Sequence, residues 1–204
     1  MKGLRIYSAL MGVDDQHKLV EELQDVVRKA PLFVPGMPKS GRPFSVRMTN
    51  CGPLGWVSDK AGYRYQQTHP KTGEFWPPMP AIVLGIWHKV SGYQHSPEAC
   101  LVNFYEGSAK MGMHQDKDEE DFDAPVVSIS LGDTCIFRVG GITRSDPTTS
   151  MKLASGDVLV LGGESRMVFH GVDRILPNTS TLLKKGGRIN LTLRRVTRPS
   201  HGDV

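Results

Sequence analysis

Apolar residues recur at helical spacing over residues 14–30, where Leu19, Leu23, Val26 and Val27 fall on one stripe. Asp14 or Asp15 can cap the start of that helix, and Pro31 stops it. A second helix is predicted over residues 80–90, with Ile82, Val83, Ile86 and Val90 on one face. Residues 35–43 lie between them and are rich in Pro and Gly. They predict a mobile loop made basic by Lys39 and Arg42. Residues 44–49 and 63–66 read as short strands around a Gly-rich turn. From residue 99 the period changes. Strand-like runs at 100–105, 111–116, 126–131, 135–139, 157–161, 166–172 and 188–196 alternate with Gly-Asp and Gly-Gly turns. Short strands at this spacing predict a sandwich, jelly roll or barrel.

Composition narrows the class. The chain has 204 residues, enough for one domain with a sizeable core. With 39% hydrophobic and 23% charged residues, disorder is excluded. No apolar run approaches the roughly 18–20 residues that span a bilayer. The first residues lack a signal-peptide pattern, so a cytoplasmic protein is expected. Three cysteines, Cys51, Cys100 and Cys135, without any C-x-x-C spacing argue against a disulfide framework or a cysteine zinc site. They read as small buried hydrophobes. A net charge of +4 and a pI near 9.0 permit phosphate contacts without requiring them.

Two clusters carry chemistry. His114-Gln115-Asp116 places an imidazole and a carboxylate at i and i+2, on one face if the segment is a strand. His170 follows on another predicted strand. Two His and one carboxylate form the facial triad of non-haem Fe(II) oxygenases, which leaves three coordination positions open. The second cluster is the last predicted strand. Ile189, Leu191 and Leu193 fall on one face; Arg188, Asn190, Thr192 and Arg194 fall on the other. That polar face is either solvated or a line of carboxylate recognition, for which the Arg fork is suited. Arg188 and Arg194 are about 20 Å apart on a straight strand. Arg188 is therefore assigned the distal carboxylate of a keto diacid. Arg194 sits near the metal if the strand curves, or otherwise acts through a second contact. Leu101, Asn103 and Tyr105 share a face of an earlier strand, where buried polar groups need partners.

Taken in order, these motifs resemble the AlkB family of nucleic-acid dealkylases, close to its bacterial members. The resemblance rests on Met48-Thr49-Asn50-Cys51-Gly52, Gly55-Trp56, Asn103-Phe104-Tyr105, His114-Gln115-Asp116-Lys117-Asp118, Gly163-Glu164-Ser165-Arg166 with His170, and the Arg188 to Arg194 strand. It covers about residues 44–196. It implies a mainly β (α+β) fold, with a double-stranded β-helix (jelly-roll) core, N-terminal helices and a nucleotide-recognition lid. The lid and helical extension would occupy residues 1–98, the core residues 99–197, and a tail residues 198–204. The resemblance implies Fe(II) on His114, Asp116 and His170. It implies 2-oxoglutarate on Asn103, Tyr105, Arg188, Asn190 and Arg194, with Ser128 lining its pocket. Trp56 would stack on the target base opposite His114, Tyr63 and Arg144 would contact the substrate strand, Asp118 would sit at the base edge, and Met48 would complete the substrate site. Two departures bear on substrate grip: Leu161 and Arg42 stand where relatives carry aromatics.

The implied reaction consumes dioxygen and 2-oxoglutarate, releases succinate and carbon dioxide, and oxidises an N-methyl carbon, as on 1-methyladenine or 3-methylcytosine. The hydroxymethyl product then collapses to formaldehyde. No side chain need act as a general base, which matches the lack of an evident nucleophile–base pair. The expected partner is alkylated DNA or RNA, single strands preferred, with no membrane and a monomeric enzyme. Competing readings are an oxygenase of the same fold acting on protein or small molecules, and a non-catalytic nucleic-acid-binding module. The acidic run from Asp118 to Asp123 reads as a solvated loop except for Asp118.

Overall fold

A computed structural model describes residues 2–199. The first half contributes β1 (Leu4–Tyr7), α1 (Val13–Lys29), β2 (Arg47–Cys51), β3 (Gly55–Asp59), β4 (Gly62–Gln66) and α2 (Ala81–Val90). Next come β5 (Ala99–Tyr105), β6 (Met111–His114), β7 (Val126–Gly132) and β8 (Cys135–Val139). The chain finishes with β9 (Thr149–Leu153), β10 (Val158–Leu161), β11 (His170–Ile175) and β12 (Arg188–Arg194). Two antiparallel sheets form the body. One has the order β1-β10-β7-β12-β5-β2, the other β6-β11-β8-β9; β3 and β4 make a separate hairpin.

Period-2 alternation explains the layering. On the large sheet, Cys100, Val102, Val127, Ile129, Leu131, Val158, Val160, Leu191 and Leu193 point to one face, where α1 and α2 cover them with Leu19, Leu23, Val26, Val83, Ile86 and Trp87. Leu101, Tyr105, Val126, Leu159 and Leu161 point the other way and pack against Phe137, Val139, Leu153 and Val172 of the small sheet. Each fully buried Leu or Val contributes about 1.5–3 kcal/mol. Because helices cover the first face and the small sheet covers the second, β12 is buried on both sides. The solvated reading of its Arg/Asn/Thr face is therefore excluded: Arg188, Asn190, Thr192 and Arg194 are all buried.

Several sequence expectations shift. The α1 N-cap is Gly12, without a side-chain cap; Asp14 and Asp15 lie inside the first turn, where their charges favour the helix dipole. Strands β1, β3 and β9 add to the predicted set; β9 is an edge strand with one fully buried residue, Leu153. The first hundred residues are more than helices and lid, since β1 and β2 extend the large sheet. Residues 35–43 are closed by backbone bonds from Met37 to Arg42, Gly41 to Met37 and Phe44 to Pro35. The strand expected at residues 166–172 begins only at His170; a 3-10 turn at Gly163–Ser165 runs on into a turn at 166–167, and residues 168–169 lie in no strand. All three cysteines are free and buried. None of the described helices is long and apolar enough to cross a membrane.

Candidate active site

Strand register brings the two imidazoles together. His170 is the cross-strand partner of His114, and their ring centroids are 4.6 Å apart. The approach is close. A Cβ on Gly171 would stand 2.5 Å from the Met111 carbonyl oxygen, so only glycine lets β11 lie against β6 there. Each ring donates its Nδ1–H to a carbonyl two residues back, His114 to Gly112 at 2.9 Å and His170 to Val168 at 3.0 Å. That fixes the tautomer and leaves both Nε2 lone pairs free.

Asp116 reaches the same point by a different route. Strand β6 ends at His114, so Asp116 stands on the loop beyond it rather than on the strand. Arg166 Nη1 donates to its backbone oxygen at 2.7 Å, and Arg194 Nη2 donates to its Oδ1 at 2.9 Å. Its carboxylate then lies 3.6 Å from His114 Nε2 and 3.7 Å from His170 Nε2. The three ligand atoms lie within 4.8 Å of one another, a spacing that suits one ion. Two neutral nitrogens and one carboxylate oxygen are the donor set of Fe(II).

Electrostatics hold these groups in their ligating states. Burial alone would raise the Asp116 carboxyl, but Arg194 and the two imidazoles bring it well below the usual carboxylate range. Burial, reinforced by His114, pushes His170 down to about 4 against the pull of Asp116. The sign follows directly. The unfolded imidazole titrates near 6.5, so between there and about 4 the unfolded chain binds more protons than the folded one. The stabilisation from neutral His170 is complete above about pH 6.5 and is lost as pH falls toward 4. Metal-free protein should show a melting temperature that drops across this window in thermal unfolding. Metal affinity should fall further as His170 gains its proton.

Two cavities meet at this triad. The inner one, about 60 Å³, lies between the sheets and is lined by Asn103, Tyr105, Ser128, Asn190, Arg194 and His170. Asn190 donates to Ser128 Oγ at 2.7 Å, and Thr192 donates to Asn190 Oδ1 at 3.0 Å. Arg188 lies at the far end of the strand. It is 1% exposed and donates to Ser130 Oγ at 2.8 Å and the Leu153 carbonyl at 3.4 Å. Gly187, at φ +91°, turns the chain into β12 beside the Tyr105 carbonyl, which a Cβ would meet at 2.8 Å. Asn103 Oδ1, Asp116 Oδ2, Arg188 Nε and Arg194 Nε and Nη1 are buried without a hydrogen-bond partner among the described residues. Orphaned buried groups each cost about 1–3 kcal/mol, more when charged. A metal on Asp116 Oδ2 and a dicarboxylate accepting from the two Arg would satisfy all of this set but Asn103 Oδ1, itself an acceptor, so the residues fit iron and 2-oxoglutarate. The two Arg act at opposite ends of the strand, and Arg194 reaches the metal group through its contact with Asp116.

The outer cleft, about 450 Å³, is lined by Met48, Trp56, Tyr63, Asp118 and Arg144 together with His114. Asn50 sets Trp56 in place by bonding both its backbone groups at 3.0 Å. The Trp56 indole donates to Asp118 Oδ2 at 2.8 Å, and Tyr63 stacks on one indole face at 5.4 Å and 19°. Arg144 lies over Phe169, 4.9 Å from its centroid. Arg42 is not in the cleft; Phe44 is, set edge-on to Trp56 at 6.3 Å. Leu161 lines the inner cavity.

The solvated reading of the acidic run holds for Glu120 and Asp123 but not for Glu119 and Asp121. Glu119 is buried against Arg166, and the Tyr93 hydroxyl donates to the buried Asp121. Phe122, set under Arg166 at 5.3 Å, is the one apolar signal within this run that it folds back onto the protein.

A model of the 2OG-Fe(II) oxygenase superfamily matches residues 3–194. The alpha-ketoglutarate-dependent dioxygenase AlkB homolog of Caulobacter vibrioides is 51% identical over 95% of this chain and 87% of its own. The alpha-ketoglutarate-dependent dioxygenase AlkB of Escherichia coli is 41% identical over 87% of this chain and 83% of its own. The solved structure of OsALKBH1 superposes with a TM-score of 0.80 at 33% identity, covering 95% of this chain and 96% of that one. Sheet order, a clustered His-Asp-His group and near full-length similarity agree, and the chain belongs to the AlkB family of 2OG-Fe(II) oxygenases, dioxygenases that use Fe(II), 2-oxoglutarate and dioxygen.

Proposed function

We propose that this enzyme removes alkyl groups from ring nitrogens of nucleic-acid bases, with His114, Asp116 and His170 holding the iron. Asn103, Tyr105, Arg188, Asn190 and Arg194 take the 2-oxoglutarate, beside Ser128. Residues 1–98 supply the lid and extension and lend β1 and β2 to the large sheet of the catalytic core at residues 99–197. One observation carries the reading: His114 and Arg194 line both cavities. A base in the outer cleft and a keto diacid in the inner cavity would therefore meet at one ion. A human relative named nucleic acid dioxygenase ALKBH1, 31% identical over 86% of this chain and 46% of its own, supports the substrate class.

When bound, iron and 2-oxoglutarate would activate dioxygen to oxidise an N-methyl C–H bond, one oxygen atom going to succinate as carbon dioxide is lost and the other to the methyl carbon. The protein's own residues bind and orient. Trp56 presents a π face to a cationic methylated base, an attraction worth about 1–2 kcal/mol. Asp118 adds negative charge at the base edge, and its bond to the indole ties charge and aromatic face into one unit. Tyr63 and Arg144 stand exposed at the cleft, placed for the flanking strand, and Met48 forms part of its wall. A lesion that pairs poorly costs less to flip out of a helix.

The test is incubation with iron, ascorbate, 2-oxoglutarate and oligonucleotides bearing N-methyl lesions, read by product mass. Loss of the methyl mass with formaldehyde release is expected for 1-methyladenine and 3-methylcytosine. Succinate formation driven by a methylated peptide or small molecule, with every oligonucleotide unchanged, would favour the same-fold alternative. Parallel DNA, RNA, single- and double-stranded arms test the single-strand preference, and light scattering tests the monomer. Asp118→Ala is expected to spare succinate formation uncoupled from substrate while shifting the ratio of adenine to cytosine repair. Equal loss of both activities would contradict its role at the base edge. A cytoplasmic setting fits the three unpaired thiols.

A further inference from the structure

Folding takes one member of the acidic run out of water beside the metal group. The Glu119 side chain is 2% exposed and stands three residues beyond Asp116. Three groups converge on it. The Tyr65 hydroxyl of β4 donates to Oε1, Arg166 Nη2 lies 3.0 Å from Oε2, and Arg194 Nε lies 3.4 Å from Oε1. On its other edge Arg194 donates Nη2 to Asp116 Oδ1 at 2.9 Å. Its guanidinium is thus held between two carboxylates. Nη1 is buried without a partner among the described residues, on a side chain that lines both cavities. Arg166 closes the ring by donating to the Asp116 backbone oxygen at 2.7 Å. The formal charges balance: Asp116 and Glu119 against Arg166 and Arg194. Glu119 holds the guanidinium by charge, at ion-pair distance and without a hydrogen bond to Nε; without that charge one buried cation is left in excess and only the hydrogen bond to Asp116 orients the guanidinium plane.

We propose that Glu119 is a positioning residue for co-substrate binding, fixing the Arg194 guanidinium so that its unpartnered Nη1 is held for the keto diacid. This rests on the reading of Arg194 as a co-substrate contact. Glu119 is outside the clustered His-Asp-His group and acts through Arg194, with Tyr65 and Arg166 holding it in turn. Both it and its neighbour Asp118 line the outer cleft, but Asp118 is exposed there and bonded to the Trp56 indole, whereas Glu119 is buried against Arg166 and Arg194.

The experiment titrates 2-oxoglutarate by calorimetry into protein loaded with Mn(II), so that no turnover occurs. Glu119→Gln keeps the side-chain volume and removes the charge. It should raise the 2-oxoglutarate Kd about tenfold, as loss of an outer partner of a ligating group does. Its Mn(II) Kd and its KM for a methylated oligonucleotide should stay within about threefold of wild type. A purely structural role would instead weaken metal and co-substrate together. Tyr65→Phe, which removes only the hydroxyl bond, should raise the same Kd by a smaller factor. Folded Glu119→Gln with wild-type 2-oxoglutarate affinity, or with metal and co-substrate weakened equally, overturns the proposal. If Glu119→Gln does not fold, an unchanged Kd in Tyr65→Phe overturns it. Arg194→Met separates the two readings. If that variant also binds 2-oxoglutarate normally, the assignment of Arg194 is what fails; if it binds weakly while Glu119→Gln does not, only the role of Glu119 fails.

Discussion

Replacing His170 with alanine is expected to lower succinate production and base dealkylation together, by about a thousandfold or more. A metal centre supplies several kcal/mol of stabilisation to the reacting groups, and each 1.36 kcal/mol is tenfold in rate. His170 is one of the three clustered residues proposed to hold the iron and the cross-strand partner of a second, and alanine offers no ligand atom in its place. Its ring also stacks on Phe137 at 5.8 Å, and alanine leaves space there. Some loss of melting temperature should therefore accompany the loss of rate. Circular dichroism on the same sample separates the two effects: a folded variant with no turnover is the expected result. Near wild-type succinate production in a folded variant would place the reactive centre elsewhere.

Arg188→Met should raise the KM for 2-oxoglutarate by about a hundredfold, with a smaller fall in kcat. A charge-assisted hydrogen bond contributes about 1.5–3 kcal/mol, and a two-pronged Arg–carboxylate contact contributes more. Arg188 is a buried cation whose Nε has no partner among the described residues, and its cross-strand neighbour on the cavity side is Tyr105. Burial pushes the Tyr105 phenol up, with Arg188 pulling the other way, so it stays a neutral donor beside a diacid. Binding lost in both ground and transition states appears in KM; a kcat loss at unchanged KM would contradict the distal clamp. Steady-state succinate formation over a range of 2-oxoglutarate concentrations resolves the two.

The parts of the site legible in the residues are those with strict periodicity or strict chemistry. Alternation in β12 by itself separates Leu191 and Leu193 from Asn190 and Arg194, and the fold buries both faces. The His-x-Asp spacing marks His114 and Asp116, although Asp116 arrives by a loop held by Arg166 and Arg194 and not by strand geometry. What the residues do not show depends on contacts across the chain. Glu119 looks like any solvated acid until Tyr65, Arg166 and Arg194 close on it from positions 54, 47 and 75 residues away (119 − 65, 166 − 119 and 194 − 119). The α1 start lies at Gly12 because backbone geometry, and not an Asp side chain, begins that helix. The start of β11 at His170 follows a 3-10 turn that no hydrophobic period announces.

His114, Asp116 and His170 must hold one iron within reach of a keto diacid clamped by β12 if this enzyme works as described. Anaerobic addition of Fe(II) and then 2-oxoglutarate, followed in the visible region, reads that arrangement without turnover. A chelated keto acid on ferrous iron gives a charge-transfer band. That band is expected in wild-type protein and should be lost in the His170→Ala variant. A band of full intensity in the variant, or none in the wild type at saturating iron and co-substrate, would contradict the assignment of this centre.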